Sequence, residues 1–157
     1  MPWSGAETAP AACPTAAVLR PLSRTVVFNS PGMAVTPTDV MFYGILSEVD
    51  VKCETSGDAL HASLDVIIAA ERGPSTRGNS VDFTYFVAVL GPGDTILSKK
   101  SFGIRVGVDQ NEKRGGVTDH FDELIPLRGI PAASLRIVAG FQQSPQIIEF
   151  YRHYSGH

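Results

Sequence analysis

The chain has 157 residues, of which 43% are hydrophobic and 18% charged, and a formal net charge of −3. That length suits one domain with an ordinary core rather than two, and the composition excludes global disorder. An acidic chain with scattered basic residues has no electrostatic reason to engage nucleic acid or an anionic membrane surface, and none of its apolar runs is long enough to span a bilayer.

Residues 1–14 are rich in Ala, Pro, Thr, Ser and Gly and read as a flexible lead-in, leaving 15–157 as a single domain. "TAAVL" and "RTVVFN" are short strand-forming runs, the second ending in the turn sequence Asn-Ser-Pro-Gly. The segment "VMFYGILSEVDVKC" alternates with period two from Val49 onwards, which puts Val49, Val51 and Cys53 on the apolar side. Ser-Gly-Asp turns the chain, and "ALHASLDVIIAAE" returns with Leu60, Ala62, Leu64, Val66 and Ile68 on one face and His61, Ser63 and Asp65 on the other. After the loop "RGPSTRGNS", a second hairpin is expected from "VDFTYFVAVL", the turn "GPGD" and "TILSKKSFGIRVGV". Its inward positions are Phe83, Tyr85, Val87 and Val89 on one strand and Ile96, Phe102, Ile104, Val106 and Val108 on the other. Lys99 and Lys100 interrupt the second alternation and mark a bulge or a sheet edge. "VTDHFDELIPL" and "SLRIVAGFQQ" are the last clear strands. In the tail, Ser144 as N-cap and Pro145 at the first helical position point to a short helix with Ile147, Ile148 and Tyr151 on one face; an eighth strand is the alternative.

Seven or eight short strands joined by turns, without crossover helices, predict an all-β antiparallel two-sheet sandwich, immunoglobulin-like in the first instance and a small closed barrel in the second. The cysteine–tryptophan–cysteine pattern of antibody domains is missing, since Trp3 is the only tryptophan.

Cys13 and Cys53 are the only cysteines and form no CxxC, so a zinc site would have to recruit distant histidines. Cys53 lies between Lys52 and Glu54 with no histidine close in sequence, which argues against a catalytic thiol. A Cys13–Cys53 disulfide is the economical reading, worth roughly 4 kcal/mol by loop closure, and would imply an oxidising compartment. Two inert thiols remain the main alternative. A lipidated Cys13 is the lesser one, because "PAAC" has Pro10 where a lipoprotein cleavage site carries an aliphatic residue.

The densest set of potential acids and ligands is Asp119, His120, Asp122 and Glu123 in "TDHFDEL". On a strand Asp119 and Glu123 face one way and His120 and Asp122 the other, too thin a set on either side for a metal or a carboxylate pair; a solvated edge is the simpler reading. His153 and His157 sit in the terminal segment and carry little alone. Glu71, Arg72 and Arg77 surround a Gly-Pro turn without the order of a phosphate-binding loop; Arg72 and Arg77 are candidate contacts for a partner's carboxylates, or simply pack on their own sandwich. Phe86, Phe150, Tyr151 and Tyr154 would form an apolar docking patch if the domain leaves them uncovered. The sequence contains no G-x-S-x-G, H-E-x-x-H or dinucleotide fingerprint.

Taken in order, Cys13-Pro14, "TDVMFYG", Cys53 before a turn, "AAERGP", "YFVAVL", "IPL" and "AGFQQSPQIIEFYR" resemble a family of small proteobacterial envelope lipoproteins without a characterised function. The resemblance spans roughly residues 13–152. It implies export, an upstream lipid-bearing cysteine that this sequence lacks, and a Cys13–Cys53 pair; it transfers no active-site residues. The expectation is therefore a non-enzymatic periplasmic sandwich, needing no cofactor, that binds an envelope protein and touches the membrane only through such an anchor. A carrier of small apolar ligands, with a cavity between the sheets, is the alternative.

Overall fold

The computed structural model describes residues 13–29 and 36–154. The lead-in before Cys13, most of the Asn-Ser-Pro-Gly turn and His157 lie outside the described residues. Eight strands follow in order: β1 (Thr15–Val18), β2 (Arg24–Phe28), β3 (Val40–Ser56), β4 (Ala59–Arg72), β5 (Ser80–Leu90), β6 (Ile96–Gly107), β7 (Arg114–Pro126) and β8 (Arg136–Phe141). An α-helix, α1 (Pro145–His153), closes the described chain.

The strands form two four-stranded sheets, β1-β8-β5-β6 and β2-β3-β4-β7, packed face to face. β1 pairs with β8 in parallel and the other described ladders are antiparallel. The expected all-β two-sheet sandwich is the architecture found. An immunoglobulin constant domain groups its strands as ABED and CFG, whereas here β2, β3 and β4 lie side by side. The likeness to that fold is one of layers and not of strand order.

The local chemistry explains the long central hairpin. Gly57 takes φ +62° in the Ser56–Ala59 turn, a conformation that a β-carbon disfavours. Leu60, Leu64, Val66 and Ile68 of β4 are completely buried, with Ala62 nearly so. On β3 the inward positions change parity: Phe42 and Leu46 precede a bulge at Ser47, and Val49, Val51 and Cys53 follow it. One extra residue flips the pleat, which is why regular alternation begins only at Val49. Opposite, Phe83, Tyr85, Val87 and Val89 of β5 meet Ile137, Ala139 and Phe141 of β8. Gly44 permits close approach of the layers, because a β-carbon there would lie 2.8 Å from the Phe83 ring and from Thr25 Cγ2.

Two smaller clusters cover the outer faces. Phe86, Ala88 and Val138 pack under Leu19 and Leu22, and Lys99 Nζ sits 4.6 Å from the centre of the Phe86 ring. Helix α1 lies across Val26, Phe28, Val40 and Tyr43. Its N-terminus is set as expected, with Ser144 Oγ accepting from the Ile147 amide and Pro145 at the first position. The face expected for α1 needs correction. Phe150 is the buried residue, flanked by Ile147, Tyr151 and Tyr154, whereas Ile148 is 46% exposed. The anchor is set by the aromatic surface beneath the helix, which periodicity alone does not locate.

Ile96 is likewise corrected: it is 62% exposed instead of lining the core. The β5–β6 register shifts where Val89 faces Ser98 and Leu90 faces Ile96, leaving Leu97 as the bulged residue. Beyond that bulge the inward alternation of Ser98, Phe102, Ile104 and Val106 no longer applies.

Candidate functional site: a cleft where two sheet edges part

β6 and β7 are terminal strands of different sheets and run along the same side of the sandwich. They are close at Gly107 and Gly115, where a β-carbon on Gly115 would collide with the Gly107 carbonyl. From there the seam is filled by side chains. The Phe102 and Phe121 rings meet at 4.5 Å between centroids, and Tyr85 stacks on Phe102 at 5.3 Å. The Tyr85 hydroxyl donates to Asp119 Oδ2 at 2.6 Å. Burial, the hydrogen bond and the neighbouring carboxylate hold this phenol well above its usual titration range.

The polar end of the seam is built on Glu123, only 6% exposed. Ser98 Oγ donates to Glu123 Oε2 at 3.0 Å, and Lys100 Nζ approaches the same oxygen at 3.6 Å. A buried carboxylate requires such partners, since removing it from water costs several kcal/mol, of order, when it stands alone.

Past Ser98 and Glu123 the edges open into a cleft of about 380 Å³. Leu97, Ile125, Leu127 and Ile130 supply apolar walls; Lys100, Glu123 and Arg128 supply charge. Leu97 and Leu124 are 42% and 58% exposed, and Ile96, next to Leu97, stands out further still. Leu97 and Leu124 line one cleft from two sheet edges, which with Ile96 beside Leu97 is more than a scattered surface residue or two. The loop beyond β7 is held in place from the hairpin turn of β3 and β4. Asp58 carboxylate oxygens accept from the amides of Arg128 at 3.0 Å and Gly129 at 3.2 Å, and the Asp58 carbonyl accepts from Leu127 N at 2.8 Å. Arg128 is thereby kept at φ +51°, an unfavourable backbone conformation for a residue with a β-carbon. Its guanidinium is exposed and has no partner among the described residues.

Cys13 and Cys53 form a disulfide with their Cα atoms 5.7 Å apart, fastening the start of β1 to β3. This bond is compatible with an oxidising compartment, and no described helix is long and apolar enough to cross a membrane. Arg72 spends its guanidinium on its own chain: Glu112 O, Gly78 O, Asn79 Oδ1, Val108 O and Asp109 O all accept from it between 2.9 and 3.2 Å. It clamps the loops flanking β5 and β7. Glu71 pairs with Arg114 at 2.7 Å, while Arg77 is exposed and makes no such contact among the described residues. Phe150 is buried under its own domain, Tyr151 OH donates to Thr25 O at 3.2 Å, and Tyr154 packs on Phe150. These aromatics cover the β2–β3 face, as the segment 19–22 covers Phe86.

Asp119 and Glu123 point inward on β7, and His120 and Asp122 outward, as strand alternation predicts. On the outer face His120 Nδ1 lies 2.7 Å from Asp65, with Nε2 3.7 Å from Asp122. The bond to Asp65 raises the imidazole pKa above its usual 6.5. Ser63, one strand away, donates at 2.7 Å to Asp122 and not to the ring, so this serine, histidine and aspartate do not make a nucleophile with its base. Among the described residues no group of three or more His, Cys, Asp or Glu side chains could hold a metal ion. His153 is engaged by Glu149 within α1.

Comparison of the chain with protein-family models, with curated proteins and with solved structures returns no match.

Sequence reasoning did not single out Leu97, Leu124 or Arg128, and it placed Ile96 in the core. One signal was present. Leu124 occupies the outward, polar phase of β7 after Thr118, His120 and Asp122, and it stands beside the run in which Lys99 and Lys100 already indicated an edge.

Proposed function

We propose that this protein is a non-enzymatic binding module of the bacterial periplasm, and that it holds an extended segment of a partner protein against the β6 and β7 edges at the cleft. The observation that carries this reading is the pair of long terminal strands flanked by exposed Ile96, Leu97 and Leu124. A peptide in β conformation can take up main-chain hydrogen bonds at such an edge and place alternate side chains in the adjoining cleft. Lys99 and Lys100 suit the edge as well, since lysines there discourage indiscriminate strand pairing. The acids that would be the foothold for an enzyme are committed to Tyr85, Ser98 and Lys100. The space between the sheets is occupied by Tyr85, Phe42, Phe141 and Leu46, each under 2% exposed, which favours an edge-binding module over a carrier with an interior cavity. The disulfide and the resemblance to envelope lipoproteins support the periplasmic assignment, and the lipid anchor belongs to the same proposal.

The test is selection of random peptides on the immobilised, disulfide-intact protein. Enriched peptides should bind the unaltered chain and lose at least about tenfold in affinity to Leu97→Lys and to Leu124→Lys, which change exposed residues only. Enrichment of no peptide, or binding indifferent to both substitutions, would defeat the reading.

A further inference from the structure

The charges of the cleft say more about the segment that enters it. Glu123 is the carboxylate at the inner end, and its charge is already met by Ser98 and Lys100. Arg128 lines the same cleft with an exposed guanidinium that none of the described residues engages. With Lys100 paired to Glu123, Arg128 is the cleft's one charge that no carboxylate among the described side chains meets, on a chain whose overall charge is negative. The loop that carries Arg128 is fixed by three hydrogen bonds to Asp58, so its position is set before any ligand arrives.

We infer that the cleft selects an extended peptide bearing a carboxylate next to an apolar side chain, with Arg128 gripping the carboxylate and Leu97, Ile125 and Leu127 receiving the apolar group. The inference rests on the edge-binding reading above and specifies its partner. A planar guanidinium presents a fork of donors that matches a carboxylate in two parallel hydrogen bonds. Lys100 adds long-range attraction while remaining beside Glu123. The carboxylate is that of an acidic side chain within the strand, since the cleft lies along two strand edges that an extended segment runs past. An apolar residue alone would fill the walls but leave Arg128 unused, and a basic residue would meet its like charge.

Two random peptide libraries, identical except for a free C-terminal carboxylate or an amide, distinguish these cases on the intact protein. The expected result is enrichment of apolar–acidic peptides that bind about tenfold tighter than their neutral isosteres. That preference should disappear in Arg128→Gln, fall clearly in Arg128→Lys, which keeps the charge but loses the fork, and weaken with added salt. Acidic residues should be enriched in both libraries; enrichment confined to the free-carboxylate library would give the cleft to a chain terminus and overturn the side-chain assignment. Peptides whose Asp or Glu can be replaced by Asn or Gln without loss of affinity would overturn the inference while leaving edge binding intact. Failure of both libraries would remove both. Sodium palmitate that binds and displaces every enriched peptide would reassign the cleft to a fatty-acid-like amphiphile and overturn the peptide assignment.

Discussion

The Tyr85 hydroxyl, fully buried on β5, reaches across the sandwich to donate to Asp119 Oδ2 on the edge strand of the opposite sheet at 2.6 Å. This bond ties together the two sheets beside the seam that ends in the cleft. A hydrogen bond to a charged acceptor is worth more than one between neutral groups, roughly 1.5–3 kcal/mol net. Tyr85→Phe should therefore destabilise the domain by about 1–3 kcal/mol in urea unfolding. Asp119→Ala should cost no less, since it leaves the buried hydroxyl without its acceptor. A double-mutant cycle is expected to show clear coupling between the two.

The same phenol imposes a pH dependence. Its folded pKa is raised, as are those of Tyr43 and Tyr151, chiefly by burial. Stability from a raised group is fully present below the unfolded value, about 10 for tyrosine, and is lost as the pH climbs past it. Urea midpoints should stay level up to about pH 9 as far as these groups are concerned and fall above pH 10, with a shallower fall in Tyr85→Phe.

His120 titrates in a gentler range with the same sign. Its bond to Asp65 raises the folded pKa, so the favourable pairing is complete below the ordinary 6.5 and fades as the pH rises through the raised value. Proton NMR should place the His120 titration above 6.5, and Asp65→Asn should move it downward. Because the pair is solvent-exposed, a negligible change in thermal stability is expected from that substitution.

The disulfide holds β1 where few ladder bonds do. β1 is four residues long and, among the described residues, pairs only along β8, so Cys13–Cys53 is the covalent tie of this edge to the other sheet. For a sequence separation of 40 the chain-entropy model gives roughly 4 kcal/mol. Reduction should lower unfolding stability by up to about that amount, and β1 amides should lose exchange protection first. Intact mass after alkylation should show both cysteines blocked until a reductant is added.

Phe150 anchors α1 against Phe28, their rings 5.3 Å apart, on the outer face of the second sheet. Phe150→Ala should cost about 3–5 kcal/mol if helix and sandwich unfold together. If the helix detaches alone, helical circular dichroism is lost while the β signal remains, and the β2–β3 surface becomes accessible to a hydrophobic dye.

Much of this structure is legible in the sequence, for identifiable reasons. The β3–β4 hairpin is fixed by a glycine at positive φ and by alternating aliphatics, both local signals. The inward and outward split of Asp119, His120, Asp122 and Glu123 follows from the strand period alone. The cleft does not. It depends on which strands end each sheet, on a bulge at Leu97 that turns Ile96 outward, and on Asp58 reaching a loop some seventy residues away to position Arg128. Arg72 shows the same limit: whether an arginine meets a partner or its own carbonyls is decided by loops distant in sequence.

The most direct measurement of the edge-binding claim is amide hydrogen exchange, resolved residue by residue, with and without a saturating selected peptide. The account requires new protection along the β6 and β7 edges, greatest around Leu97–Lys100 and Glu123–Leu127, with the helix and the β4 centre unchanged. Protection arising instead over α1 or the outer face around His120, or none on those edges, would contradict it.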